Sequence, residues 1–280
     1  MSPLFIINPI SGKGNRQKFV AMLRERGLDY VLTSAAGEAE VIARETPRQT
    51  VVAVGGDGTL NEVARGLLGT GKTLGIIPCG SGDGLARFLG ISRNPRKALE
   101  VVLAGKTLPL DAGMINSHPF FSVCGVGFDA DVSKAYALSG RRTLLSYVLQ
   151  TLRLWKNYSP QELSISIDSR QWTQRAMLVT VANSNQWGNN AVVAPQASCS
   201  DGILNVAILD PVSALQLPVL ALKLLTGRCD TSSRVHCLSG KHIVIERKAP
   251  GTAHYDGDWF DAPPTLDISI IPSALKVLVP

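Results

Sequence analysis

The chain has 280 residues, 45% of them hydrophobic and 18% charged, and a formal net charge of +6. That length supports one large core or two modest ones, and the composition excludes a disordered, collagenous or disulfide-stapled chain. The basic balance suits nucleic acid, anionic lipid or a phosphorylated ligand, and equally a basic protein with no such partner.

The opening MSPLFIINP holds an apolar run that meets Asn8-Pro9 too early for a signal peptide. PLFIINP itself predicts a strand, and RQKFVAMLRERG a helix ended by Gly27. DYVLT predicts a second strand and GEAEVIARET a second helix, stopped before Pro47. TVVAVGG and TLGIIP are the third and fourth strands, followed by the helical patterns TLNEVARGLLG and GLARFLG. Asn94-Pro95 then opens a further helix, RKALEVVLAG. Such alternation is that of a parallel α/β sheet.

After LPLDAGMIN the texture changes to short β-type runs: FFSVCGVGF, ELSISID, QWTQRAMLVTVAN, GILNVAILD, KHIVIER and LDISIIP. Their spacing predicts a β-sandwich. Two helical patterns interrupt it, TLLSYVLQTLRLWKN and VSALQLPVLALKLLTG. The second is broken by Pro218 and Lys223 and is shorter than the ~20 residues of a membrane-spanning helix. We therefore expect an α/β domain over residues 1–113 and a mostly β domain over 114–265.

In open parallel sheets, ligands sit beyond the carboxyl ends of the strands. VVAVGGDGT runs strand, loop, helix, so Gly55, Gly56 and Gly58 let the main chain approach a phosphate, and the helix end adds partial positive charge. Asp57 is wrong for touching phosphate directly and right for holding Mg²⁺ beside one. The plain alternative is a glycine-rich turn with Asp57 capping the helix. Two more loops weigh against it: NPISGKGN, with Asn8, Ser11 and Gly12, follows the first strand, and PCGSGDGLAR, with Gly80, Ser81 and Asp83, follows the fourth. Asn8, Ser11, Thr59 and Ser81 would supply side-chain hydrogen bonds to a polyphosphate. Residues 66–73, GLLGTGKT, match the Walker A string, but they lie between a helix and a strand, the reverse of a working P-loop. Lys72 is accordingly expected to be a solvated loop lysine.

With NPISG, GGDGTLNE and PCGSGDGLAR in this order, the chain resembles the diacylglycerol kinase catalytic family, which includes bacterial soluble lipid kinases and is related to sphingosine and ceramide kinases. LDAGMIN, FFSVCGVGFDADVS, NSNQWGNNAVVAPQASCSDGILNVAIL, HYDGDWF and IIPSALKVLVP extend the resemblance over nearly the whole chain. It implies an α/β nucleotide domain of the NAD kinase and phosphofructokinase type, and a C-terminal β-sandwich that binds lipid. The strand at 266–280 would return to the first domain. The implied reaction is transfer of the ATP γ-phosphoryl group to a lipid hydroxyl with Mg²⁺. Positions matching nucleotide contacts are Asn8, Ser11, Thr33, Gly56 to Thr59, and Ser81. Where the family has Asp-Gly-Glu, this chain has Asp256-Gly257-Asp258, so Asp258 is the expected general base and Asp256 its close competitor, with Asp57 in the Mg²⁺ network. A plain hairpin turn is the alternative for this triplet. The segment SCSDGI matches a structural Mg²⁺ site, with the Asp201 side chain and the carbonyls of Ser198 and Ile203 as ligands; ordinary turn residues are the alternative. Many diacylglycerol kinases carry Asn-Asp where this chain has Asp83-Gly84, so Asp83 either joins the metal network or caps the next helix. The acceptor is left open among diacylglycerol, a sphingoid base, ceramide and other lipid alcohols.

Leu145, Leu149, Leu152 and Trp155 share one face of TLLSYVLQTLRLWKN, flanked by Arg141, Arg142, Arg153 and Lys156. That face is expected to pack on its own domain; resting on an anionic membrane is the other reading, and VSALQLPVLALKLL carries the same ambiguity. Five cysteines without a CxxC pair read as reduced thiols of a cytoplasmic protein. Neither a zinc cluster nor a nucleic-acid module is present, and His254 receives no role. The expectation is a cytoplasmic lipid kinase at the inner face of the membrane, held peripherally without a transmembrane segment; related bacterial enzymes imply a homodimer. Two competing readings are an NAD kinase-like enzyme with a soluble acceptor, which leaves NPISG and HYDGDWF unexplained, and a catalytically silent lipid- or nucleotide-binding protein.

Overall fold

Strands β1 (Leu4–Ile7), β2 (Tyr30–Leu32), β3 (Thr50–Gly55) and β4 (Thr73–Pro78) form a parallel sheet in the order β2-β1-β3-β4. The computed structural model that shows this describes residues 2–9, 16–140 and 144–280. β3 and β4 are near-continuous apolar runs, as strands covered on both faces must be. Helices α1 (Arg16–Glu25), α2 (Glu38–Glu45), α3 (Asp57–Leu67), α4 (Gly84–Phe88) and α5 (Pro95–Ala104) connect them. Asn94 starts α5 by accepting the N–H groups of Arg96 and Lys97, with Pro95 in the first turn. These residues form one compact unit, Met1–Asp111 with Pro272–Pro280.

The second unit is Ala112–Ile271. β5 (Thr107–Ile115) enters it and pairs with β6 (His118–Phe120). β7 (Val123–Gly127) then leads directly into α6 (Phe128–Leu138), followed by α7 (Leu144–Trp155). β8 (Gln161–Ile167), β9 (Arg170–Ala176), β10 (Leu178–Ala182) and β11 (Leu204–Leu209) come next, then α8 (Leu217–Leu225). The unit closes with β12 (Val235–Gly240), β13 (His242–Glu246), β14 (Gly251–Tyr255), β15 (Asp258–Ala262) and β16 (Thr265–Leu278). One antiparallel layer runs β16-β13-β8-β9 and the other β12-β11-β10-β7-β14-β15. Their inner faces share one core, with Ile165, Ile243 and Ile268 from the first layer and Val126, Val179 and Val206 from the second. The fold is thus an α/β unit with a parallel sheet and an antiparallel β-sandwich.

Three details depart from expectation. QWTQRAMLVTVAN is not one strand: the chain changes layers at Met177, whose N–H donates to the Leu209 carbonyl while its own carbonyl accepts from Phe128. FDADVSKAYAL is a helix, which begins without any intervening loop because Gly127 turns the chain at φ 100°. Lys72 is not a solvated lysine: it is only 9% exposed, and its Nζ donates to the carbonyls of Ala43 and Arg44 at 3.0 and 2.7 Å. Those carbonyls end α2, so the cation satisfies orphan acceptors at the negative end of the helix dipole. Lys72→Met should lower unfolding stability by about 2 kcal/mol, since two charge-assisted hydrogen bonds are lost; an unchanged urea midpoint would refute that role.

β16 starts against β13 and ends in the first unit, where Lys276 and Val277 lie parallel to Thr73 and Leu74. The buried Asp111 anchors this last segment by accepting the Ser273 N–H at 2.6 Å.

Candidate active site

In the first unit the strand ends converge as the parallel register dictates. Thr33 N–H donates to the Ile7 carbonyl at 3.0 Å, Asn8 N–H to Val54 at 3.2 Å, and Cys79 N–H to Gly55 at 2.7 Å. Asn8, Thr33, Gly55 to Thr59 and Gly80 to Asp83 therefore lie along one sheet edge. Ser11 and Gly12 fall outside the described residues.

The β3 and β4 loops are closed onto each other by Asp57. Its Oδ2 accepts the Asp83 N–H and its Oδ1 the Gly84 N–H, each at 2.9 Å. The β4 loop needs glycine there. A Cβ on Gly80 would lie 2.7 Å from the Gly56 Cα, and one on Gly82 2.6 Å from Asp57 Oδ2. Gly58 and Ser81 stand exposed, whereas Thr59 is buried with its hydroxyl unpartnered among the described residues.

Asp83 occupies a left-handed backbone position, φ 49°, at the start of α4. Its Oδ1 accepts the Gly80 N–H at 2.9 Å, and its Oδ2 lies 3.3 Å from Arg93 Nε, an ion pair without hydrogen-bond geometry. Burial first, and the Asp57 charge second, raise the Asp83 carboxyl above its ordinary value, against the Gly80 N–H, Arg93 and Arg87. Arg87 Nε and Arg93 Nη2 donate to the carbonyls of Gly82 and Gly80, both at 2.8 Å. No sequence motif assigns these two arginines a role, yet they clamp the third loop from outside. Burial and Asp83 push the Cys79 thiol up to about 11, so it is no nucleophile at neutral pH.

The residues fit a Mg²⁺-bound polyphosphate. Each Asp57 oxygen uses one lone pair on a backbone donor and keeps another. Among the described residues no group of three or more His, Cys, Asp or Glu comes together. Such a sparse donor set suits Mg²⁺, which takes most of its ligands from phosphate and water.

In the second unit the Asp256-Gly257 pair forms the two-residue turn between β14 and β15, with φ 49° and 88°. The hairpin is fixed at three levels. At its tip, the Asp256 carboxylate accepts the backbone N–H groups of Phe121, Ser122 and Val123 at 2.8, 2.8 and 3.0 Å. Midway along β14, the buried His254 places Nε2 3.1 Å from Asp129 Oδ2, which also accepts the Thr180 hydroxyl at 2.8 Å. At the root, Arg247 donates to the carbonyls of Gly251, Thr252, Ala262 and Pro263. Asp258 is the first residue of β15 and is exposed. His254 and Asp129 escaped the sequence reading because their partners lie on elements far apart in the chain, and Arg247 because its partners are backbone carbonyls, which no residue letter shows.

Asp201 closes its own turn: Oδ1 accepts the Ile203 N–H at 3.1 Å. Ser198 lies just ahead of this turn, and Ile203 leads it into β11. A cavity of about 20 Å³ near α8, lined by Leu178, Trp187, Leu209, Leu220 and Leu224 among others, has room for a water-sized guest and not for an acyl chain.

Comparison with known proteins agrees with both halves. Residues 2–115 match the family described as the diacylglycerol kinase catalytic domain, and residues 122–279 the YegS C-terminal NAD kinase beta sandwich-like domain. The chain is 29% identical over 271 residues to a diacylglycerol kinase of Bacillus subtilis, covering 91% of this chain and 88% of that protein. It is likewise 29% identical over 294 residues to a diacylglycerol kinase of Mycobacterium tuberculosis, covering 98% and 94%. A crystal structure of a diacylglycerol kinase from Bacillus anthracis superposes with a TM-score of 0.78 over 100% of this chain and 97% of that one; at 20% identity it speaks for the fold alone. The chain belongs to the diacylglycerol kinase catalytic family, with the YegS-type sandwich as its second half.

Proposed function

We propose that this protein is an ATP- and Mg²⁺-dependent lipid kinase, with Asp258 as the general base. The observation that carries the reading is Asp57, whose two oxygens tie the GGDG and GSGDG loops together at one sheet edge. The N–H groups of Gly56 and Gly58 and the hydroxyls of Thr59 and Ser81 orient the phosphates, Asn8 and Thr33 border the nucleotide, and Asp83 holds the third loop in shape through the Gly80 N–H. Mg²⁺, held through Asp57, neutralises charge that develops on the transferred phosphoryl group. Asp258 takes the proton of the acceptor hydroxyl as its oxygen forms the new bond to phosphorus and the bond to ADP breaks. Between the two acidic residues of the hairpin, the exposed one suits this role, because three backbone donors already occupy the Asp256 carboxylate. Asp201 with the carbonyls of Ser198 and Ile203 would serve as a structural Mg²⁺ site rather than a catalytic one.

The names of the relatives make diacylglycerol the first acceptor to test, with sphingoid bases and ceramide beside it. Such acceptors reside in membranes, and the reading places the protein peripherally at the inner face, as a homodimer. The test is transfer of label from γ-³²P-ATP to a lipid panel in mixed micelles with Mg²⁺. Label on one lipid class is expected. ATP binding without label on any lipid would overturn the reading in favour of a silent binding protein, and label on a soluble acceptor alone would favour the NAD kinase-like alternative.

A further inference from the structure

Helices α7 and α8 each carry two apolar faces. Tyr147, Leu154 and Trp155 of α7, with Leu220 and Leu224 of α8, pack into one cluster with Phe128, Leu178 and Leu209. Leu178 and Leu209 alternate with sandwich-core residues along β10 and β11, so this cluster lies on the outer side of that sheet. The two helices are therefore neighbours on one flank of the second unit. On their other sides stand large apolar groups in water. On α7 they are Leu145, Val148, Leu149 and Leu152, at i, i+3, i+4 and i+7, with Leu145 68% and Leu152 59% exposed. On α8 they are Val219, Leu222 and Leu225, the last two 63% and 59% exposed. On α7 the expected packing on its own domain therefore fails for Leu145, Leu149 and Leu152, which stand in water, and holds for Trp155. Exposed apolar faces of this kind mark a contact with something else.

We infer that the outward faces of α7 and α8 form a docking surface for an anionic phospholipid bilayer. Charge selects this occupant. Residues 144–158 and 211–228 contain Arg153, Lys156, Lys223 and Arg228 and no carboxylate, which is four of the chain's formal +6. Two copies joined through this face would set four cations against four, with Asp230 the nearest carboxylate to any of them in sequence, which disfavours self-association. A bilayer offers apolar depth for the leucines and negative headgroups for the rim. No described helix is long and apolar enough to cross a membrane, so the helices lie in the interface and do not span it. The inference rests on the lipid-kinase reading only in that a membrane is where such an acceptor is found.

The test uses the full chain with vesicles of phosphatidylcholine, with and without phosphatidylglycerol, sedimented in the absence of ATP. Leu149→Gln with Leu152→Gln, and separately Leu222→Gln with Leu225→Gln, should each lower vesicle partitioning at least tenfold, because exposed leucines are lost without disturbing the buried cluster. Arg153→Gln should lower it about fivefold on anionic vesicles and leave neutral ones unaffected. Turnover of a monomeric short-chain diacylglycerol should persist in all three variants while turnover of vesicle-borne acceptor falls. If no lipid is phosphorylated yet vesicle binding still depends on these residues, the kinase reading falls and the docking surface stands. Wild-type partitioning by the leucine variants would overturn the surface. So would a wild-type dimer that the leucine changes split into monomers by ultracentrifugation, since the face would then join two copies.

Discussion

Asp258→Asn is expected to lower kcat by about 10²–10⁴-fold, the usual yield of a positioned general base, while ATP affinity stays at the wild-type value. The substitution keeps the shape of the side chain and removes its negative charge and its capacity to take a proton. Asp258→Glu should recover part of the rate, since it restores the carboxylate and adds the methylene that the family's Asp-Gly-Glu carries. Asp256→Asn should behave differently. Its carboxylate faces three backbone donors, two on Oδ1 and one on Oδ2. An amide there must point its own N–H₂ at a backbone N–H, so about 1–3 kcal/mol of stability should be lost. Activity measured on the protein that remains folded should fall far less than in Asp258→Asn. Thermal unfolding beside kcat separates the two outcomes. A folded, inactive Asp256→Asn together with an active Asp258→Asn would reverse the roles.

The legible parts of this protein were those written locally. GGDGT and PCGSGDGLAR each join a strand to a helix within a few residues, so strand order alone brings them to one sheet edge. Element order also disqualified GLLGTGKT as a P-loop, although it could not show that Lys72 caps α2, because that contact spans 29 residues. Arg87 and Arg93 were hidden for a different reason: their value lies in which backbone carbonyls they reach, and no residue letter shows that. Asp256 and Asp258 looked interchangeable as letters, and they separate only when the donors at Phe121 to Val123, more than 130 residues away, are in place. The layer change at Met177 was invisible for another reason: apolar residues continue across it, with no glycine or proline to mark the break. Leu145, Leu149 and Leu152 of α7 share one face as expected, whereas Trp155, grouped with them, turns into the buried cluster, and periodicity cannot say whether such a face meets protein or lipid.

Asp57 combines two functions that substitution can pull apart. As an anion it suits the metal; as an acceptor it ties the loops together through Asp83 and Gly84. Asp57→Asn removes both, because the amide nitrogen must face one of those backbone donors, and a turnover loss of about 10²–10³-fold is expected. Gly82→Ala keeps the carboxylate and its charge but places a methyl 2.6 Å from Oδ2, so either the loop or the acid must shift. Calorimetry with ADP, in the presence and absence of Mg²⁺, distinguishes the two. Gly82→Ala should weaken binding about tenfold in both conditions, because the backbone cradle itself is deformed and a misplaced loop loses hydrogen bonds worth about 1.5–3 kcal/mol to a charged ligand. Asp57→Asn should show that same loss and, in addition, no further gain when Mg²⁺ is added. If Gly82→Ala binds ADP as wild type does while Asp57→Asn loses only its Mg²⁺ response, the two loop hydrogen bonds are dispensable. The carboxylate would then act through the metal alone.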